Sequence, residues 1–212
     1  MHIPDGFISA PVAVTGIAIA AGAVAYAAKT TNKKMGEKQV PLMGVLAAFI
    51  FAAQMLNFPI AGGTSGHFLG AALAAILLGP WAGMLIMTCV LIVQCLVFQD
   101  GGLLALGVNI FNMGIVASFI GYFVQRVVAL LAPGQRRKIL LGGGLAASLS
   151  VVAASVACAF ELAISGIVPL GVALPAMGGV HVIIGIAEGA ITAAVLSLIM
   201  ATRADLLEIQ KA

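Results

Sequence analysis

Met1 and His2 open the chain with three nitrogen donors that one metal ion could share. A free α-amine and the peptide nitrogen of His2 close a five-membered ring. That peptide nitrogen and Nδ1 of the imidazole close a six-membered one, and both rings are nearly free of strain. Displacing an amide proton suits metals that favour tetragonal nitrogen ligation, which points to Ni(II) or Cu(II). The lost proton also cancels one metal charge, an advantage in a poorly hydrated site. A histidine is too large a second residue for removal of the initiator methionine, so Met1 is expected to remain with a free amine. The stretch "MHIPDGFISA" lacks the Lys or Arg of a secretory leader.

Three nitrogens leave a square plane one short. The chain has three histidines, His2, His67 and His181. His67 follows the Gly- and Pro-rich "NFPIAGGTSG" and is expected to open a half-length helix over 67–79. Irregular backbone leading into a short helix marks substrate sites in transporters, so His67 is the expected fourth donor. Each histidine also has a plainer reading, as an exposed terminal residue or a hydrogen-bonded helix cap. It is their combination that points to a metal. His181 is expected to orient a ligand or to be a satisfied interfacial residue. Asn57, Gln94, Asn109 and Asn112 could brace the site or bond helix to helix. Glu188 has no cation near it and is expected to be a protonated or amide-bonded structural group. Cys89, Cys95 and Cys158 lack CxxC spacing and read as small buried apolar residues.

The elements that must position these residues follow from composition. The chain is 62% hydrophobic and 8% charged, with a mean hydropathy of +1.19. That balance makes the bilayer its solvent. Apolar runs occur near 9–28, 40–57, 81–98, 104–125, 138–164 and 179–201. A bilayer core of about 30 Å needs roughly 20 helical residues. The run 67–79 would reach only about 20 Å. Counting it gives an all-α bundle of seven transmembrane helices with a short third helix. All ten basic residues, Lys29 to Lys38, Arg126 to Lys138, Arg203 and Lys211, then fall on one side. The positive-inside rule makes that side the cytoplasm, with the N-terminus outside and the C-terminus inside. The expected division is one domain: a metal-ligand segment at 1–8, a bundle at 9–201 and a cytoplasmic tail at 202–212. The basic charge sits where the membrane rule places it, so no nucleic-acid surface is implied. GxxxG at Gly66/Gly70 and Gly185/Gly189 indicates close helix packing.

Taken together, "MHIPDGF", "NFPIAGGTSGHFLGAALAAILLGPWAG", "FQDGG", "NIFNMG" and "GVHVIIGIAEG" resemble the CbiM/NikM family. These are substrate-binding membrane subunits of energy-coupling factor transporters for cobalt and nickel. The resemblance covers most of 1–125 and 176–200, while 126–175 matches only as an apolar hairpin. It implies a square plane made by the amine of Met1, the amide nitrogen and imidazole of His2, and the imidazole of His67. It implies Co2+ or Ni2+ as transported substrate and a prokaryotic inner membrane as location. It also implies a transmembrane coupling subunit, cytoplasmic ATPases and a small companion membrane subunit on a separate chain. The chain has no GxxxxGK[ST] motif and is not itself expected to be an enzyme. Ala48 and Ala52 in "AAFIFAA" look like the small-residue face offered to the coupling subunit. Two alternatives belong to other classes. A channel or structural membrane protein would carry the histidines incidentally, and an intramembrane metallohydrolase would need a general base, for which no HExxH is present.

Overall fold

The computed structural model describes residues 1–36, 39–60 and 64–208. Lys38 and Lys211, two of the basic residues that orient the chain, lie outside the described residues. The order is α1 (Ala10–Lys34), α2 (Gln39–Gln54), β1 (Phe58–Ile60), β2 (Thr64–Gly66) and α3 (Ala71–Leu78). Then follow α4 (Pro80–Phe98), α5 (Leu106–Leu131), α6 (Gln135–Ile164) and α7 (Leu170–Thr202). The short α8 (Asp205–Glu208) comes last among the described residues. Helices α1, α4, α5, α6 and α7 are long and apolar enough to cross a membrane, whereas α2 is apolar but has 16 residues. The fold is an all-α, multi-span membrane protein.

Solvent preference is inverted, as a bilayer requires. Val14, Leu96, Phe123, Leu145 and Ile183 are exposed on the outside of the bundle, while Gln54, Gln94, Asn109, His181 and Glu188 are buried inside it. Each buried polar group must find a partner in protein, because lipid offers none. Helices α6 and α7 meet where side chains are absent. A Cβ added at Gly185 would lie 2.9 Å from the Ser148 carbonyl, and one at Gly189 would lie 2.7 Å from the Gly144 carbonyl. The Ser148 hydroxyl donates across this contact to the Gly185 carbonyl at 2.7 Å. The packing role expected of this GxxxG pair is what the geometry shows.

Four features of the elements differ from expectation. His67 does not open a helix; α3 begins at Ala71, after a left-handed Gly70 (φ 78°). The reason is a side chain from elsewhere. Glu188 on α7 takes the backbone N–H of Leu69 at 2.7 Å and of Gly70 at 2.8 Å, so these amides are held outside the helix and the chain turns into α3 only at Gly70. The loop before His67 is an antiparallel hairpin pairing Phe58 with Gly66, Pro59 with Ser65 and Ile60 with Thr64. Pro59 is tolerated because a two-stranded ribbon has only edges. The last helix starts at Leu170 and runs through Pro175, where periodicity placed its start at 179. Apolar surroundings give the freed backbone no water to turn to, so the helix persists. Finally, α5 winds as π-helix over Ile110–Val116, immediately after Asn109. Such stretches recur at functional sites.

Candidate metal centre

The N-terminal segment folds into the bundle instead of lying on it. Met1, His2 and Ile3 are all buried. Polar contacts from Ser65 and Asn109 hold them. The Met1 amine donates to the Ser65 carbonyl and to the Ser65 hydroxyl at 3.2 Å. The His2 N–H reaches the same hydroxyl at 3.3 Å. Asn109 pins Ile3 twice, accepting from its N–H at 2.9 Å and donating to its carbonyl at 3.1 Å. Each such bond contributes on the order of 1 kcal/mol, and losing one partner inside the bundle costs more than that. Downstream, Asp5 accepts from Leu103 N at 3.0 Å and Leu104 N at 2.8 Å, and Gly102 N donates to Ile3 O at 2.9 Å. The loop after α4 is thereby laced over the terminus.

This brings the amine to 2.9 Å from Nε2 of His67. The tautomer of His67 follows from its other nitrogen, because Nδ1 lies 2.7 Å from the Phe68 carbonyl and must donate to it. Nε2 therefore keeps its lone pair and faces the amine. The His2 ring stacks on His67 with centroids 4.7 Å apart and planes 28° from parallel. Neither nitrogen of His2 has a hydrogen-bond partner among the described residues. Two buried imidazole nitrogens left bare beside a buried amine fit a site for a cation that brings its own bonds.

Electrostatics favour the neutral, ligating forms. Burial brings the Met1 amine down from 8.0 to about 5, against a smaller upward pull from Cys158 and Asp100. Burial, then the nearby amine, hold His2 well below the usual imidazole range. Asp100 moves the other way: burial raises its carboxyl, opposed by the amine and by the Asn57 hydrogen bond.

The remaining candidates sort by distance. Asn109 touches the terminus directly. Asn57 donates to Asp100 at 2.8 Å, and Asp100 lies 3.7 Å from Nε2 of His2. Gln94 is further removed: it bonds Gln54 at 3.0 Å, and Gln54 donates to the Leu69 carbonyl at 2.6 Å. His181 gives its Nδ1–H to the Met177 carbonyl on its own helix at 2.7 Å and leaves Nε2 buried and bare. Its helix face lies under the hairpin, since Thr64 donates to Met177 Sδ at 2.9 Å. Asn112 donates to Glu161 on α6 and makes no hydrogen bond to the terminus among the described residues. Ala48 and Ala52 are exposed on α2. Sequence reasoning missed Ser65 and Asp5 as supports; a serine two residues before His67 was the available signal. Among the described residues no group of three or more His, Cys, Asp or Glu side chains could hold a metal. The donor set expected from the sequence would draw two of its nitrogens from main chain, which such a side-chain cluster does not describe.

The comparisons agree with one another. The family model described as "Cobalt uptake substrate-specific transmembrane region" matches residues 2–206. A protein of Archaeoglobus fulgidus, provisionally named a fused nickel transport protein, is 44% identical over 214 residues, covering 100% of this chain and 69% of its own length. Cobalt transport protein CbiM 1 of Pelobacter propionicus is 36% identical over 209 residues, covering 94% of this chain and 91% of its own. A crystal structure of a transition metal transporter superposes with a TM-score of 0.89 at 36% identity, over 95% of this chain and 93% of that one. A buried N-terminus meeting His67 inside a multi-span bundle therefore stands among relatives concerned with metal transport, and this chain belongs to the CbiM/NikM family, the substrate-binding membrane components of cobalt and nickel transporters of the energy-coupling factor type.

Proposed function

We propose that this chain captures Ni2+ or Co2+ on the outer side of the inner membrane and delivers it inward. The substrate ion sits in a plane of four nitrogens: the Met1 amine, the His2 amide, Nδ1 of His2 and Nε2 of His67. The observation that carries this is the buried amine 2.9 Å from Nε2 of His67, the nitrogen of that ring that carries no proton. Relatives named for nickel and for cobalt both support the substrate class. The metallohydrolase alternative falls away, since the family is one of transporters and not of enzymes.

The chain crosses the membrane seven times with its N-terminus outside, α2 and the half-length α3 counting as spans. Supporting this, α3 is bounded by Gly70 and Gly79 and its residues Ala71 to Leu77 are all buried, so neighbouring helices complete its crossing. Energy comes from cytoplasmic ATPases through a transmembrane coupling subunit, which docks on the α2 face carrying Ala48 and Ala52. A small companion membrane subunit on a separate chain completes the assembly.

The test is Ni(II) binding by calorimetry on the purified chain in three forms besides the native one: N-acetylated, carrying one Ala inserted between Met1 and His2, and His67→Ala. Each removes one donor or shifts its register, so each should abolish tight binding while leaving a folded protein. Native affinity in any of the three removes that nitrogen from the plane.

A further inference from the structure

We propose that Asp100, braced by Asn57, sets the tautomer of His2 so that Nδ1 is the nitrogen left free to ligate; this rests on the nitrogen plane proposed above. A neutral imidazole carries one proton, and its partner decides which nitrogen holds it. The six-membered chelate needs the lone pair on Nδ1, so the proton must sit on Nε2. His67 needs the opposite arrangement and has it, since Phe68 O takes its Nδ1–H at 2.7 Å.

For His2 the asymmetry comes from what each ring edge faces. Nε2 looks toward Asp100 Oδ2 at 3.7 Å, its nearest carboxylate. Nδ1 looks toward Gly101, where an added Cβ would lie 3.3 Å from it and 3.2 Å from the amide nitrogen of Asn109. That edge is closely packed, faces a donor, and has no hydrogen-bond acceptor among the described residues to draw a proton. Asp100 is itself held on two sides. Asn57 donates to the same Oδ2 at 2.8 Å, and the Asp100 N–H donates to the Gln94 carbonyl at 3.0 Å. Positive φ at Gln99 (55°) and Gly101 (97°) folds the loop tightly around it. A carboxylate behind a ligating imidazole fixes its orientation and strengthens it as a donor. Asp100 is a positioning residue, and the "FQDGG" stretch serves to present it.

Asp100 lies on a loop with its side chain 17% exposed, against 2% for His2, so replacing it leaves the bundle packing intact. The experiment uses the full chain, metal-free, labelled with 15N-histidine, and reads ring protonation from long-range proton–nitrogen correlations, with a His2→Gln sample to assign the signals. Native protein should show His2 protonated at Nε2. Asp100→Ala should give a mixture of tautomers and weaken Ni(II) binding by about 10- to 100-fold. Asp100→Asn keeps an acceptor oxygen and should recover part of both. Asn57→Ala should move both readings in the same direction, by less. A native His2 protonated at Nδ1 overturns the proposal. So does an Asp100→Ala protein that loses affinity with its tautomer unchanged, because Asp100 would then merely hold the loop. The tautomer is read without metal, so its outcome is separate from the acetylation test, whose failure overturns the nitrogen plane itself.

Discussion

A positive charge buried at the Met1 amine would have no carboxylate in contact, since its hydrogen bonds go to Ser65 and His67. The chain meets this by making the amine a weak base, brought down to about 5 by burial. That is the form a metal needs. In an unfolded N-terminal peptide the amine titrates near 8 and competes with the metal at neutral pH. In the folded chain that competition begins only as pH approaches 5. The sign follows. Affinity for Ni(II) falls as pH falls, because the departing amide proton must still be released. Between pH 6 and 8, however, the amine adds nothing to the slope. Calorimetry in buffers of different ionisation heat should count about one proton released per Ni(II) by the protein, and a larger number by a peptide of its first residues. Equal counts would mean that the amine is solvated and charged in the folded chain.

At the scale of elements, three pieces meet to place His67. The hairpin β1–β2 carries it inward, Gly70 turns the chain, and α3 starts only where Glu188 has taken up the two preceding amides. Glu188 thus ties α7 to the segment just after a ligand. Glu188→Ala would strand two N–H groups where no water reaches them. The expected loss is about 2–4 kcal/mol of stability, with weaker Ni(II) binding as 67–70 loosens. Glu188→Gln keeps one acceptor and should lose roughly half as much. Thermal unfolding in detergent alongside a Ni(II) titration checks both, and an Ala variant as stable and as tight as native would assign α3 to some other cap.

Across the whole molecule, chemistry and basic charge occupy opposite ends. Trp81 at the start of α4 touches Tyr26 near the end of α1 and Phe119 in α5, whereas the end of α4 leads into the loop that covers the terminus. Lys29 and Lys33 therefore lie at the end of the bundle away from His2. With the native cysteines replaced, single cysteines at 30–36 and 133–138 should react with an impermeant thiol reagent only from the cytoplasm. Those at 103 and 104 should react only from outside. Labelling of 103 and 104 from the cytoplasm would reverse the orientation, and with it the direction of transport.

Much of this was legible without coordinates. Apolar content named the solvent, spacing located the long helices though it placed the start of the last one nine residues late, and Met1, His2 and His67 stood out because few other groups could ligate. These are properties of residue types and local spacing, which every chain displays along its length. Tertiary structure decided what depends on partners distant in sequence. His67 and the amine are 66 positions apart, and only folding puts them at 2.9 Å. The start of α3 moved to Ala71 because a carboxylate 118 residues away captured Gly70. Asp100 comes within 3.7 Å of His2 only because the loop after α4 folds back over the terminus. No local pattern encodes these distances, because each is set by how helices pack, and packing sums contacts over the whole chain.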